Sequence, residues 1–175
     1  MITATTAMTI AKHNEWADNL LFSGLLTRTE YRFIFGRKDT FKNIVNLMSE
    51  AYERALLCSA QMAGEEIMSA KYFQAFGTEL LPLIDDQRSL NSWFVTWASE
   101  QDSWSFRKRC TTVLSDGRRA RITLGDLFLN MAEQRSFYRG RLIALITSYE
   151  IKLPPLDMLS FLAESERGQD EFLTN

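Results

Sequence analysis

Residues 123–152 read TLGDLFLNMAEQRSFYRGRLIALITSYEIK, and this stretch decides the fold. Thr123, followed three residues later by Asp126, forms a variant capping box: a hydroxyl placed to accept from the backbone at a helix head, and a carboxylate that complements the helix dipole. Behind it Leu127, Met131, Gln134, Tyr138, Leu142, Leu145 and Tyr149 recur every three or four residues, the period of one helix face. Pro154-Pro155 forbids continuation, so the spacing predicts a helix from Thr123 to about Lys152.

Upstream of it, Cys110–Leu114 and Ala120–Ile122 are short β-compatible runs around Ser115-Asp116-Gly117, whose Asp-Gly step favours a tight reversal. Before this hairpin, Leu90, Trp93, Phe94, Trp97 and Trp104 mark the bulky buried face of a third helix, capped by Asp86 or Ser89. Residues 65–85 are ambiguous: Met68, Tyr72, Phe73 and Phe76 suggest a short helix before Gly77, and Pro82 reads as a break. Phe41, Ile44, Val45, Met48, Tyr52, Ala55, Cys58 and Met62 keep a helical period up to Gly64, with Thr40 as N-cap of this second helix. The first helix, about Thr6 to Leu26, carries Ile10, Asn14, Ala17, Leu21 and Leu25 on one stripe, and Trp16 and Leu20 widen the apolar surface to a second side. Past the fourth helix come one apolar turn at Met158–Leu162 and a polar tail over about 164–175. The fold class is therefore all-α, an antiparallel four-helix bundle with a small hairpin before its last helix, in one domain over 1–175.

Composition agrees with this. Hydrophobic residues make up 46% of 175 and charged residues 24%, a balance that supports a buried core without disulfide or metal staples. A net charge of -2 and a pI near 5.5 give no global field for a polyanion, so nucleic acid is not an expected partner. No apolar run reaches bilayer length, so no membrane is expected either. The N-terminus lacks a basic region and an uninterrupted apolar run, which reads as cytoplasmic. Cys58 and Cys110 are too far apart in sequence for a CxxC pattern.

Polar residues on a core-facing stripe carry information, because burial without partners costs about 1–3 kcal/mol each. Gln134 and Tyr138, at i and i+4, point toward the interior or a pocket mouth and can bond each other or a ligand. His13 is the single histidine, which excludes any one-chain mechanism with two imidazoles; beside Asn14 it is a candidate base or a structural histidine. Cys58 reads as a small inert hydrophobe. Arg107, Lys108, Arg109, Arg118, Arg119 and Arg121 make the hairpin locally basic, either a solvated surface or an anion collector. Phosphate loops, nucleophile elbows and paired-carboxylate signatures are absent from the sequence.

Gln134 to Arg141, followed by Leu153-Pro154-Pro155-Leu156-Asp157, resembles the DinB-like segment in which a histidine-rich run leads into an Arg-Gly element and then a Pro-Pro-x-Asp ending. His13-Asn14-Glu15-Trp16-Ala17-Asp18 is similar to that family's opening Asn-x-Trp-Ala-Asn, and Phe41-x-x-Ile44 resembles the start of its second helix. The resemblance spans most of the chain. It implies a homodimer formed through helix faces, and a divalent metal held by three histidines of the second and fourth helices, with relatives that include metal-dependent thiol transferases and isomerases. Every ligand position departs from that pattern: Gln134 and Tyr138 stand on the fourth helix, and Glu50, or Ser49 at a slip of one, on the second. An amide, a phenol and a carboxylate suit a soft divalent ion poorly, so no metal and no cofactor are expected.

The expectation is thus a metal-free DinB-like protein that binds or sequesters a small molecule through Gln134, Tyr138 and Glu50, with stress or metabolite resistance as the expected setting. The alternatives are a thiol-transferase- or hydrolase-like enzyme using Tyr138 with Glu50 or His13, and a dimeric interaction module. Fold membership alone decides none of these.

Overall fold

The computed structural model describes residues 2–27, 38–65, 79–114, 117–148 and 151–173. It is mostly helical: α1 (Ala4–Thr27), α2 (Lys38–Met62), α3 (Leu80–Glu100), a 3-10 turn (Ser105–Arg107), strands β1 (Arg109–Val113) and β2 (Arg119–Thr123), α4 (Leu124–Thr147) and α5 (Met158–Leu173). The four long helices close a ring in which α1 touches α3 and α4, and α2 touches the same two. Leu21, Leu25, Ile44, Ile84, Phe94 and Ile146 are almost wholly enclosed at its centre. Among the described residues no helix is long and apolar enough to cross a membrane.

Two anchors fix where α4 sits. The capping box is formed as its residues dictate: the Asp126 backbone N–H donates to Thr123 Oγ1 at 3.0 Å, and the Thr123 N–H donates to Asp126 Oδ2 at 3.2 Å. Thr123 is also the last residue of β2, so the hairpin runs straight into the helix. The strands are antiparallel, with Arg109 opposite Thr123 and Thr111 opposite Arg121. Trp97, Phe106 and Phe128 seal this end, with ring centroids 5.7–6.3 Å apart. The expected reversal residues Ser115 and Asp116 lie outside the described residues.

Several boundaries differ from the sequence reading, each for a physical reason. α2 begins at Lys38, so Thr40 lies within the helix and does not cap it. Pro82 does not break α3 but occupies its first turn, where a missing N–H is tolerated; the helix starts at Leu80, well before Asp86 or Ser89. The short helix expected before Gly77 falls outside the described residues. α3 stops at Glu100, which leaves Trp104 70% exposed instead of on the buried face, its ring covered by the Arg107 guanidinium at 4.3 Å. α4 ends at Thr147, short of Lys152.

The largest difference is at the C-terminal end, where the expected polar tail is a helix up to Leu173. Asp157 caps it, accepting from the Ser160 N–H at 3.0 Å and hydroxyl at 2.9 Å. This helix folds back on α1: Phe161 packs against His13 and Trp16, and Trp16 Nε1 donates to Glu164 Oε2 at 2.9 Å. The second apolar side of α1 is therefore partly covered within the chain.

Candidate functional site

Three helices each present a pair of polar side chains at i and i+4 to the interior: Asn14 and Asp18 from α1, Gln87 and Asn91 from α3, Arg135 and Arg139 from α4, all buried. Asp18 is the hub. Arg139 Nε donates to Asp18 Oδ1 at 3.0 Å, and Asn91 Nδ2 to Asp18 Oδ2 at 3.1 Å. Arg135 Nη2 contacts Asp18 Oδ2 and Asn91 Oδ1, and Arg139 Nη2 donates to Asn14 Oδ1 at 2.7 Å. One Gln87 amide atom faces Arg135 Nη2 at 2.7 Å and Nη1 at 3.3 Å; as the oxygen it accepts from both.

The electrostatics follow from burial. Desolvation pushes the Asp18 carboxyl upward, but the Arg135 and Arg139 charges outweigh it and hold it below the ordinary carboxylate value. Burial and the neighbouring Arg139 charge lower Arg135, opposed by Asp18. One carboxylate faces two guanidinium groups.

The residues singled out in the sequence are only partly brought together. Tyr138 is buried and its hydroxyl donates to Glu50 Oε1 at 2.6 Å. The Glu50 side chain is 45% exposed and also lies 3.7 Å from Arg54 and 3.8 Å from Arg141. Burial, then the hydrogen bond to Glu50, raises the Tyr138 phenol, which keeps it a donor. Gln134 is half-buried and forms no hydrogen bond to Tyr138. His13 is buried elsewhere, on α1, where its Nε2 donates to the Leu156 carbonyl at 3.1 Å; a carbonyl only accepts, so Nε2 carries the hydrogen. Cys58 is buried, and desolvation pushes its thiol up to about 11.

Sequence reasoning missed the interior network because Arg135 and Arg139 stand one residue from the stripe that was followed. The buried face is wider than that stripe: Leu127, Met131, Tyr138 and Leu142 of it are buried, Gln134 and Leu145 only partly so, and Phe128, Arg135, Arg139 and Ile146 extend it on one side. Two arginines on an apolar face require a carboxylate, and Asp18 was the signal on α1.

Two spaces adjoin this network. On one side a small cavity of about 30 Å³ is bounded by Asp18, Gln87, Arg135, Tyr138 and Arg139 and by apolar residues of α1, α2 and α4. On the other an open cleft of about 670 Å³ runs along α4 between α1 and the segment Leu156 to Met158. Ile10, Leu129, Ile143 and Leu156 line its apolar part; His13, Asn14, Glu133, Ser136, Arg139 and Asp157 supply polar groups. Gly140 opens onto it, and a Cβ there would meet nothing within 4 Å.

The donors at the positions of the resembled metal triad do not fit a divalent ion. Tyr138 keeps its proton and donates a hydrogen bond with it to Glu50, Gln134 forms no hydrogen bond to that pair, and among the described residues no three His, Cys, Asp or Glu side chains converge. Compared with protein-family models, curated proteins and solved structures, the chain matches none.

Proposed function

We propose that this chain is a DinB-like four-helix bundle, lacking the family's metal triad, that binds a small molecule in the cleft along α4. The observation that carries the reading is the cleft itself: about 670 Å³, within the usual range for ligand sites, with apolar walls and a few fixed polar groups. Arg139 and Asn14 are held rigid by the buried network, so they contact a ligand without further ordering cost. The ligand this geometry suits has an apolar body and a polar head. The site expected around Gln134, Tyr138 and Glu50 has much less room, since the cavity that Tyr138 borders holds about one water.

Gly140→Leu tests this directly. The added side chain projects into open cleft and replaces glycine by a better helix former, so the fold should be kept. A small-molecule screen read by thermal shift should give hits whose affinity falls at least tenfold in Gly140→Leu and is unchanged in Tyr138→Phe. Hits that bind Gly140→Leu at full strength would sink the cleft assignment. The reading includes a homodimer, which the family resemblance supports; light scattering measures it. A native dimer that Gly140→Leu makes monomeric would identify the cleft as a subunit interface and favour the interaction-module reading.

A second reading rests on the 2.6 Å phenol–carboxylate hydrogen bond. Tyr138 and Glu50 form a donor–acceptor pair at a partly exposed position, the minimum for proton transfer in a transferase- or hydrolase-like reaction. Turnover of thiol or ester substrates that Tyr138→Phe abolishes without a change in Tm would favour it over the cleft.

A further inference from the structure

We infer that the small, partly open cavity beside the buried network is a binding site for one monatomic, monovalent anion of the halide class. The cavity is bounded by both buried arginines, Arg135 and Arg139, while Asp18 is the one carboxylate bonded to them among the described residues. The cluster thus holds an excess of one positive charge at 6–7% exposure. An uncompensated buried charge is costly, and water cannot neutralise it.

Open donors point the same way. Arg139 uses Nε on Asp18 and Nη2 on Asn14, and Arg135 uses its terminal nitrogens on Asp18, Asn91 and Gln87. Arg139 Nη1 and Arg135 Nε remain without an acceptor among the described residues. Neither is a sealed orphan, a condition found among the described residues only at Gln61 Nε2, so both reach free space. The cavity is the described space that both side chains border. Its size selects the occupant. About 30 Å³ admits one water-sized particle, which a halide approximates and which carboxylates, phosphate and sulfate exceed. Leu21, Phe22, Met48 and Leu142 around it lower the local dielectric and strengthen the attraction.

The test is thermal unfolding at fixed ionic strength and pH, with sodium gluconate replaced stepwise by sodium chloride or bromide. The expected result is a saturable rise in Tm of about 2–5 °C, by mass action on the folded state. Ala51 borders the same cavity, so Ala51→Leu fills it while leaving both arginines in place, and the halide-dependent rise should vanish in that variant. A bromide-soaked crystal should show an anomalous peak between Arg135 and Arg139. Equal Tm in all three salts, or a bromide peak in the α4 cleft and none in the cavity, overturns the assignment. Because gluconate, chloride and bromide titrations read the interior and the ligand screen reads the cleft, either can fail without the other.

Discussion

Replacing Asp18 by Asn removes a buried charge from the centre of the network with almost no change in volume. In the native protein Asp18 accepts from Arg139 at 3.0 Å, from Asn91 at 3.1 Å and from Arg135, and its side chain is only about a tenth exposed. The variant keeps one acceptor oxygen but presents an amide N–H to a guanidinium, and it leaves two buried positive charges without a counter-ion. Breaking a buried pair from one side costs about 3–5 kcal/mol, mostly the penalty of the stranded charge. Against a total stability of about 5–15 kcal/mol, that is a large fraction. Urea unfolding should show the midpoint lowered by that free energy divided by the slope, with the slope unchanged, since the same surface is exposed on unfolding. Adding Arg135→Met to Asp18→Asn removes one stranded charge and should recover part of the loss. A cost below about 1 kcal/mol for Asp18→Asn, or no recovery in the pair, would refute the description of Asp18 as the hub.

Three further outcomes follow from the same geometry. Burial lowers the His13 imidazole below its ordinary value near 6.5, against the raising effect of the Leu156 hydrogen bond, so the unfolded chain takes up the proton first. Its contribution to stability is therefore full above about pH 6.5 and is lost as pH falls from there through the lower folded-state value; with one histidine in the chain, His13→Gln should flatten that slope in pH-resolved unfolding. Thr123→Ala removes the acceptor for the Asp126 N–H and should cost about 1 kcal/mol in chemical denaturation, with α4 amides near its N-terminus losing exchange protection first. Gly125→Ala places a Cβ 2.8 Å from Ile2 Cγ2 and 3.2 Å from the Phe106 carbonyl oxygen, so overpacking of about 1–3 kcal/mol should outweigh the helix-propensity gain and lower Tm by several degrees.

The elements that repeat were legible in the sequence, and those that depend on phase or on a neighbour were not. The helical periods, the Asp-Gly hairpin and the Thr123–Asp126 box follow from local chemistry, and the structure has helices, strands and box at those places. The C-terminal helix was not legible, because Ser165, Glu166 and Arg167 are as suitable for a solvated tail as for the outer face of a helix held by Phe161 against α1. Pro82 misled because proline marks a break or a first turn equally well, and the choice depends on where Leu80 and Leu83 are buried. On α4, both the Gln134–Tyr138 and Arg135–Arg139 pairs have i, i+4 spacing; Tyr138 is buried as its stripe implies, but local sequence favours burying Gln134 over Arg135, and Asp18, more than a hundred residues away, buries both arginines and leaves Gln134 half-buried. Tyr138 and Glu50 enter the sequence reading only as positions that the family resemblance implies, and the structure joins them by a hydrogen bond from the phenol to the carboxylate.

The burial of both arginines separates the side chains of α4 that hold the helices together from those that border the cleft. Arg135 is bonded to Asp18, Asn91 and Gln87, so its hydrogen bonds position three helices, and it borders the small cavity but does not line the α4 cleft. Arg139 sits one turn further along and borders both spaces: Nε and Nη2 hold it to α1, while Ser136 and Gly140 on the same helix keep the cleft beside it open. Changing Arg135 should act chiefly through stability, whereas changing Arg139 acts on stability and on the cleft together. A side chain at Gly140 reaches the cleft alone. The absence of bulk at Gly140 is a feature of α4 that packing does not require: the site faces solvent, carries no positive φ, and costs helix propensity relative to alanine. An open cleft beside a pre-ordered guanidinium gives that cost a physical purpose, and the packing of the interior gives it none.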